Sequence, residues 1–382
     1  MSSLLDGVSS QNLHHLLNDS KWSSNEVMDF VCISFISMLT DLRLEDELCI
    51  AIDESGFSKK GNQSAGVQRQ YNGNAGKVDN CQVGVFASLL AGSLRTLVDA
   101  RLYEPKTSIS KIELAKESIY HLISDMKVDA KCVLFDSFYG RDLTLLCELD
   151  SKGIRFIGDV PETHHIHLNK FQMRIPKKLG VRGREPIYPK PTEPSCSIKN
   201  YISTLKRKDW KKIQIRNSTK GIITSLIHTQ KIYLLNPLTG RAKEFLLYIR
   251  KDKDGSIYQA VTNFNEATPI QDIAYFHSKR YFIERSFQDC KSSLGMNQYQ
   301  IRSKTAWTKH MALCMLAYLF IQKLKTEAFL YCKKYLSTEK IKKLISSMIS
   351  FSESVIKKVI EEIWSKPPSK LALTRKMFYL RI

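Results

Sequence analysis

Between residues 47 and 160, short apolar runs alternate with two amphipathic segments, and this order constrains the fold more than any other feature of the sequence. Five runs have the length of strands: 47–53, 78–91, 94–104, 131–136 and 154–160. Residues 110–126 and 141–150 repeat apolar residues at helical spacing. Gly92-Ser93 indicates a hairpin turn. The order β-β-β-α-β-α-β predicts a mixed α/β sheet flanked by helices.

Two of these runs end in a carboxylate, at Asp53 (ELCIAID) and Asp136 (KCVLFD). In this layout the first and fourth strands are neighbours, so we expect the two carboxylates to converge at one edge of the sheet. Paired carboxylates are hard oxygen ligands that suit Mg²⁺ or Mn²⁺. Two such ions about 3.5–4 Å apart support in-line attack on a phosphodiester. The pattern predicts a third acidic ligand from a later helix. Glu54 is expected to face outward, since neighbours on a strand alternate faces.

Residues 269–294 carry one long helical pattern, and Glu284 within it is the candidate third acid. Arg280 precedes Glu284 by four residues and His277 precedes it by seven, while Lys291 follows it by seven. These spacings predict that all four lie on one face of a helix. The cations would then bind DNA phosphates beside a metal ligand. Asp289 is an alternative acid with less suitable spacing.

Several separated motifs resemble those of bacterial insertion-sequence transposases with the DDE triad. Residues 277–291 resemble the Y-(2)-R-(3)-E-(6)-K signature of that family, with His277 in the place of the tyrosine. The other similar segments are DESGFSKKGNQSAGVQRQYNGNAGKVDNCQVGVF (53–86), VDARLYEP (98–105), FDSFYG (135–140) and QYQIRSKTAWTKHMALCMLAYLFI (298–321). The resemblance covers about residues 10–325.

The resemblance implies an RNase H-like core interrupted by a β-rich insertion. It also implies Asp53, Asp136 and Glu284 as catalytic ligands of two Mg²⁺ or Mn²⁺ ions per active site, with Arg280 and Lys291 on phosphates. In such enzymes the metals drive nicking at the element ends, and the 3′-hydroxyl then attacks target DNA. The expected partners are double-stranded DNA, as terminal inverted repeats and as target, and a second copy of the chain. The expected location is the bacterial cytoplasm, at the nucleoid.

The chain is expected to divide into five segments. They are an N-terminal helical segment, which could be a partial DNA-binding region (1–46), a first core part (47–160), a β-rich basic insertion (161–268), a second core part with the Glu284 helix (269–325) and a basic helical segment (326–382). Strand-like runs at 221–235, 243–250 and 256–263 support the insertion. The C-terminal helices favour dimer or DNA contacts over a membrane role.

The charge of the chain is strongly basic, with 58 Lys and Arg against 38 Asp and Glu, for a net +20. Residues 170–220 hold 15 Lys and Arg and three acids, so this stretch carries +12. Such a concentration indicates contact with a DNA backbone. The candidate phosphate-binding residues outside the signature are Lys59, Lys60, Arg69, Lys77, Lys206, Arg207, Lys208, Lys211 and Lys212. Trp210 could stack on a base, although packing on the strands of the insertion is the favoured reading.

Other classes of protein are disfavoured. The nine cysteines form no CxxC pair, and several lie in apolar runs, which is typical of core residues in a reducing compartment. The sequence begins without the pattern of a signal peptide. The longest apolar run, Met311 to Ile321, is shorter than the roughly 20 residues of a membrane span. His164, His165 and His167 lack an acid or cysteine at metal-ligand spacing.

The sequence is compatible with two other functions. The chain could be a truncated, catalytically silent DNA-binding derivative that regulates transposition, as the short segment before Asp53 and the exchange at His277 suggest. It could also be a structure-selective nuclease that does not join DNA ends. The intact set of three acids favours the transposase.

Overall fold

The structure, a computed structural model, describes residues 9–73, 75–177, 184–218, 221–332 and 336–350. Residues 351–382 of the predicted C-terminal segment and residues 178–183 and 219–220 of the basic stretch lie outside this part. The chain forms two compact units. The first comprises residues up to Ala130 and from Tyr281 onward, and the second is Lys131–Arg280.

Helices and strands are numbered in chain order over the described residues. The helices are α1 (Ser10–Asn18), α2 (Ser24–Leu42), α3 (Lys111–Tyr120), α4 (Ser137–Gly140), α5 (Leu143–Ser151), α6 (Ile198–Thr204), α7 (Ile270–His277), α8 (Tyr281–Ser293), α9 (Lys304–Cys332) and α10 (Thr338–Ser350). The strands are β1 (Cys49–Ser58), β2 (Gln68–Asn72), β3 (Lys77–Ala91), β4 (Leu94–Tyr103), β5 (Val133–Phe135), β6 (Phe156–Asp159), β7 (His165–Ile166), β8 (Met173–Arg174), β9 (Lys190–Pro191), β10 (Cys196–Ser197), β11 (Lys211–Ser218), β12 (Gly221–Asn236), β13 (Arg241–Lys251) and β14 (Ile257–Thr262).

In the first unit, β3 is the central strand. It pairs antiparallel with β1 on one side and with β4 and β2 on the other. The β3–β4 hairpin closes where Ala91 pairs with Leu94, and Gly92 adopts φ +57° in the turn, so the predicted hairpin is confirmed. Strand β1 extends to Ser58, beyond the predicted end at residue 53, because its pairing with β3 continues to Cys81.

An aromatic cluster joins helices α8 and α9 to this sheet. The ring of Phe86 on β3 lies 5.3 Å from Phe287 on α8 and 6.0 Å from Trp307 on α9, between centroids. Trp307 is fully buried. Gly84 makes room for it, since a Cβ there would lie 2.8 Å from the indole ring. This packing fixes the position of α8, which carries Glu284, within the first unit.

The second unit contains a sheet of strand order β11-β12-β13-β14-β6-β5. Strands β5 and β6 are parallel and connected through α4 and α5, and the rest of this sheet is antiparallel. The three strands predicted at 221–235, 243–250 and 256–263 are confirmed as β12, β13 and β14. Three antiparallel strands, a helix and then a parallel strand–helix–strand succeed one another along the chain, and the predicted mixed α/β fold is confirmed.

The prediction of one long helix over 269–294 is wrong. Helix α7 ends at His277, α8 begins at Tyr281, and the boundary between the two units falls at this break. At the break the backbone N–H of Lys279 bonds to the carbonyl of Phe276, and the Ser278 hydroxyl donates to the carbonyl of Tyr275 at 2.7 Å. These shorter-range bonds replace the regular helical ladder. Among the described residues, no helix is long and apolar enough to cross a bilayer.

Candidate active site

Asp53 lies in the middle of β1, opposite Phe86 of β3. Ile52 before it is fully buried, whereas Asp53 itself is partly exposed. Its Oδ1 accepts a 2.7 Å hydrogen bond from the backbone N–H of Glu54. The Glu54 carboxylate pairs with Nζ of Lys111, the first residue of α3, at 2.7 Å. The two adjacent acids therefore have different surroundings, and the ion pair gives Glu54 a structural role.

Glu284 and Lys291 lie two turns apart on α8. Glu284 is exposed in the first turn, while Ile283 beside it is buried. Lys291 donates from Nζ to the carbonyl oxygen of Gly56 on β1 at 2.8 Å and lies 4.7 Å from the centroid of the Phe57 ring. Burial lowers the pKa of Lys291 to about 8. Lys291 thus connects the helix of Glu284 to the strand of Asp53.

A buried ion pair holds the same helix from another side. Arg95 on β4 donates from Nη2 to Oδ2 of Asp289 at 2.9 Å and from Nε to the hydroxyl of Tyr318 at 3.0 Å. That hydroxyl in turn donates to Asp289 at 3.1 Å. Arg95 is only 7% exposed. Asp289, the alternative acid in the sequence, therefore pairs with a cation inside the first unit.

Asp136 follows β5 in the second unit and caps the short helix α4. Its Oδ1 accepts hydrogen bonds from the backbone N–H groups of Phe138 at 3.0 Å and Tyr139 at 3.3 Å. Such a cap is common for Asp and satisfies N–H groups that a helix leaves without partners. The turn lies close against β6, because a Cβ on Gly158 would lie 2.8 Å from the Cα of Gly140. The carboxylate is thereby fixed in orientation.

His277 and Arg280 both contact Asp159 at the end of β6. His277 donates from Nε2 to Oδ1 at 2.7 Å, and Arg280 from Nε to Oδ2 at 2.9 Å. Burial raises the pKa of Asp159, but the hydrogen bond from His277 and the nearby charges of Arg280 and Arg250 outweigh it and hold the pKa below its ordinary value. His277 and Arg280 belong to the second unit, and Glu284 and Lys291 to the first. The prediction that all four share one helical face is therefore wrong, because the helix breaks between them.

The site residues predicted from the sequence do not include Asp159, Arg95 and Tyr318. Asp159 had a usable signal, since it is a third acid at the end of an apolar run (IRFIGD). Arg95 and Tyr318 gave none, because a single arginine in a strand and a tyrosine in an apolar helix carry no spacing that relates them.

The remaining candidate cations differ in their surroundings. Lys59 donates to the carbonyl of Tyr299 at 3.1 Å and lies 3.4 Å above its ring, and burial lowers its pKa to about 8. Trp210 is partly buried, with its ring centroid 6.2 Å from that of His228. The other candidates are exposed: Lys60, Arg69, Lys77, Lys206, Arg207, Lys208, Lys211 and Lys212.

The described residues contain no group of three or more His, Cys, Asp or Glu side chains that could hold a metal ion. This includes the histidines of the HHIH sequence, of which His165 lies 3.2 Å from the Ser195 hydroxyl and His167 lies 3.1 Å from the carbonyl of Glu193. The chemistry of the three predicted ligands still fits a hard divalent cation, since all three are carboxylates with at least partial exposure.

Comparison with known proteins identifies the family. The DDE superfamily endonuclease family matches residues 1–222, more than half of the chain. A probable transposase for insertion sequence element IS701 of Microchaete diplosiphon is 23% identical over 312 residues, which are 76% of this chain and 68% of that protein. The resemblance to insertion-sequence transposases is therefore confirmed.

Two solved structures were also compared. The piggyBac transposase in a synaptic complex with hairpin DNA has a TM-score of 0.41 and 10% identity, over 86% of this chain and 55% of that one. The NurA nuclease of Sulfolobus solfataricus has a TM-score of 0.29 and 10% identity, over 76% of this chain and 94% of that one. The chain thus spans about half the length of the piggyBac protein. With residues 1–222 matched by its family profile, the chain belongs to the DDE superfamily of endonucleases.

Proposed function

We propose that this protein is a DNA transposase, which cleaves DNA at the ends of an insertion element and joins the 3′-hydroxyl to target DNA. Membership of the DDE superfamily supports the endonuclease reaction. The observation that carries the proposal is the arrangement of the first unit. There Lys291 connects the helix of Glu284 to the strand of Asp53 through the carbonyl of Gly56.

We propose Asp53, Asp136 and Glu284 as ligands of Mg²⁺ or Mn²⁺, with two ions per active site. When bound, the metal would supply a nucleophile at neutral pH and stabilise the leaving oxygen. The chain itself contributes the orientation of the ligands. Oδ1 of Asp136 is held by two backbone N–H groups, and Oδ1 of Asp53 by one.

The proposed partner is double-stranded DNA, as terminal inverted repeats and as target, with two copies of the chain holding two ends. Among the candidate phosphate-binding residues, the cations exposed to solvent are the best placed to contact DNA phosphates. Phosphate binding by Lys59, His277, Arg280 and Lys291 stays a prediction, since each has an internal partner. Base stacking by Trp210 also stays a prediction, because its ring packs beside His228.

The test is metal-dependent cleavage of DNA that carries the element ends, with wild type compared to Glu284→Gln. We expect the variant to lose cleavage while still binding DNA, because the amide keeps the shape of the side chain without its charge. Glu327→Gln, at an exposed acid of α9, is the matched control and should cleave normally. Equal cleavage by Glu284→Gln would remove Glu284 from the active site.

A second assay separates the alternatives. Precleaved ends are incubated with a target plasmid and Mg²⁺, and joined molecules are counted. A transposase joins them, whereas a structure-selective nuclease cleaves without joining. A wild-type chain that binds DNA but neither cleaves nor joins would instead be the regulatory derivative.

A further inference from the structure

A two-stranded ribbon extends beyond the sheet of the first unit. It consists of β2 and of residues 77–80 of β3, paired in the register Arg69↔Asn80, Tyr71↔Val78 and Asn72↔Lys77. The pairing of β1 with β3 ends at Cys81, and that of β4 with β3 ends at Val83. These residues of β3 therefore have β2 as their one strand partner in the described chain.

One face of the ribbon is fastened to β1. Asn72 is fully buried and donates from Nδ2 to the hydroxyl of Ser58 at 3.0 Å. The same hydroxyl donates to Asp79 at 2.7 Å, and Gln70 donates to the carbonyl of Cys81 at 3.1 Å. These bonds fix which face of the ribbon is turned outward, since alternate residues of a strand point to opposite sides.

The outward face carries an exposed apolar pair beside one cation. Tyr71 is 58% exposed and its cross-strand partner Val78 is 54% exposed. Arg69 lies two residues from Tyr71 on the same face and is exposed, whereas Lys77, also exposed, is the cross-strand partner of Asn72 and belongs to the other face at the end of the ribbon. Asp79, the single acid of the sequence 68–80, lies on the fastened face. An exposed aromatic and aliphatic pair beside a cation suits a nucleic acid, with base edges against the apolar pair and a phosphate against the cation.

We propose that this ribbon is a DNA-contacting element, in which Tyr71 and Val78 contact bases and Arg69, on the same face, contacts a flanking phosphate. A two-stranded β-ribbon fits the major groove of B-DNA. The proposal rests on the proposed function for its partner and adds residues that read or grip DNA away from the acids. Val78 lies eight residues along β3 from Phe86, the partner of Asp53, or about 27 Å. That span corresponds to about eight base-pair steps from the cleaved bond.

The test measures binding in EDTA, so that it does not depend on cleavage. The full chain is titrated into a labelled mixed-sequence duplex of about three helical turns over a salt series. We expect Tyr71→Ala to weaken binding by roughly fivefold or more, with an unchanged salt slope, since a base contact releases no counterion. Tyr71→Phe should bind like wild type. Arg69→Gln should reduce the magnitude of the slope by about 0.9.

Phe320→Ala, at a 53% exposed aromatic residue of α9, is the matched control. The proposal fails if Tyr71→Ala binds within twofold of this control, or if it changes the salt slope as Arg69→Gln does. A measurement on the unmodified chain avoids any folding defect. Photo-crosslinking to a duplex with 5-iodouracil should label the peptide containing residues 68–80, and label confined to other peptides would also overturn the proposal. If the Tyr71 and Arg69 variants change DNA binding as expected but Glu284→Gln cleaves like wild type, the DNA contact of the ribbon is supported and the proposed role of Glu284 in cleavage is contradicted.

Discussion

The ammonium of Lys291 donates a 2.8 Å hydrogen bond to the carbonyl oxygen of Gly56, three residues after Asp53 on β1. Lys291 matches the lysine of the family signature by spacing, and the signature alone assigns it to DNA phosphate. Its position in the structure gives it a second role, since it connects two elements that each carry a candidate ligand. The two roles predict different results for the same variant.

We expect Lys291→Met to reduce metal-dependent cleavage by at least tenfold while leaving the salt slope of DNA binding unchanged. The reason is that the variant removes the bond between α8 and β1, and a small misplacement of a ligand carries a large loss of rate. Duplex binding over a salt series and plasmid cleavage measure the two effects. A slope reduced by about 0.9 would assign Lys291 to phosphate instead.

The Arg95–Asp289 pair should show strong coupling in stability. Breaking a buried ion pair leaves an uncompensated charge and costs about 3–5 kcal/mol. We expect Arg95→Met and Asp289→Ala each to lower Tm, and the double variant to lose less than the sum of the two. Thermal unfolding of the four proteins measures the cycle. Additive losses would mean that the pair does not act as a unit.

Because Lys325 is buried, we expect the free energy of unfolding to rise with pH. Burial lowers its pKa from 10.5 to about 8, and its Nζ donates to the hydroxyl of Thr338 at 2.6 Å. Between these two pH values the unfolded chain binds more protons than the folded one, so this group makes unfolding less favourable as pH rises from about 8 to 10.5. Lys325→Met should flatten this rise in Tm, measured at pH 7.5 and 9.5. Lys323→Met, on the exposed side of α9, should behave like wild type.

Because of the contacts of Asp159, we expect the second unit to lose stability at acid pH. Its folded pKa lies below the ordinary 3.8, so the stability from its contacts with His277 and Arg280 is present above that pH and is lost as pH falls below about 4. Asp159→Asn should lower Tm at pH 7 and weaken its fall between pH 4 and 2. Asp129→Asn, at an exposed acid, serves as the control. Identical acid profiles for Asp159→Asn and wild type would contradict the assignment.

The exposed cations of β11 should contribute to DNA binding through phosphate contact. We expect Lys211→Gln with Lys212→Gln to reduce the salt slope by nearly 2 and to weaken binding to all sequences alike, because each phosphate contact releases about 0.9 counterions. Lys106→Gln with Lys127→Gln, at two exposed lysines outside the stretches predicted to bind DNA, is the matched control for loss of two charges. A reduction equal to that of the control would leave β11 outside the DNA interface.

Periodicity and turn chemistry predicted much of the fold. The Gly92-Ser93 turn and the strands β12 to β14 followed from local patterns, because a buried strand and a tight turn each restrict the residues that form them. The break at Ser278 could not be predicted, since residues spaced by four and seven satisfy a helical pattern whether or not the backbone bonds continue. The continuation of β1 to Ser58 depends on pairing with Cys81, 23 residues away along the chain, which no local window contains.

The sequence predicts which residues form the candidate site better than it predicts their contacts. Asp53, Asp136 and Glu284 followed from strand ends and a family signature. The partners of Lys291 and Asp289 join residues far apart in the chain, so their roles as connections became visible only in three dimensions. The exposure of Tyr71 likewise depends on where the sheet stops, which composition does not state.

The close approach of Gly140 and Gly158 sets a limit on how this protein can vary. A methyl group at Gly140 would overlap the carbonyl of Asp159, and one at Gly158 would meet the backbone of Gly140. Any side chain there would therefore displace the turn that begins at Asp136, although neither glycine takes part in chemistry. Sequence drift near this acid is restricted by volume as well as by charge, and an engineered variant that preserves every carboxylate can still lose the site through one added carbon atom.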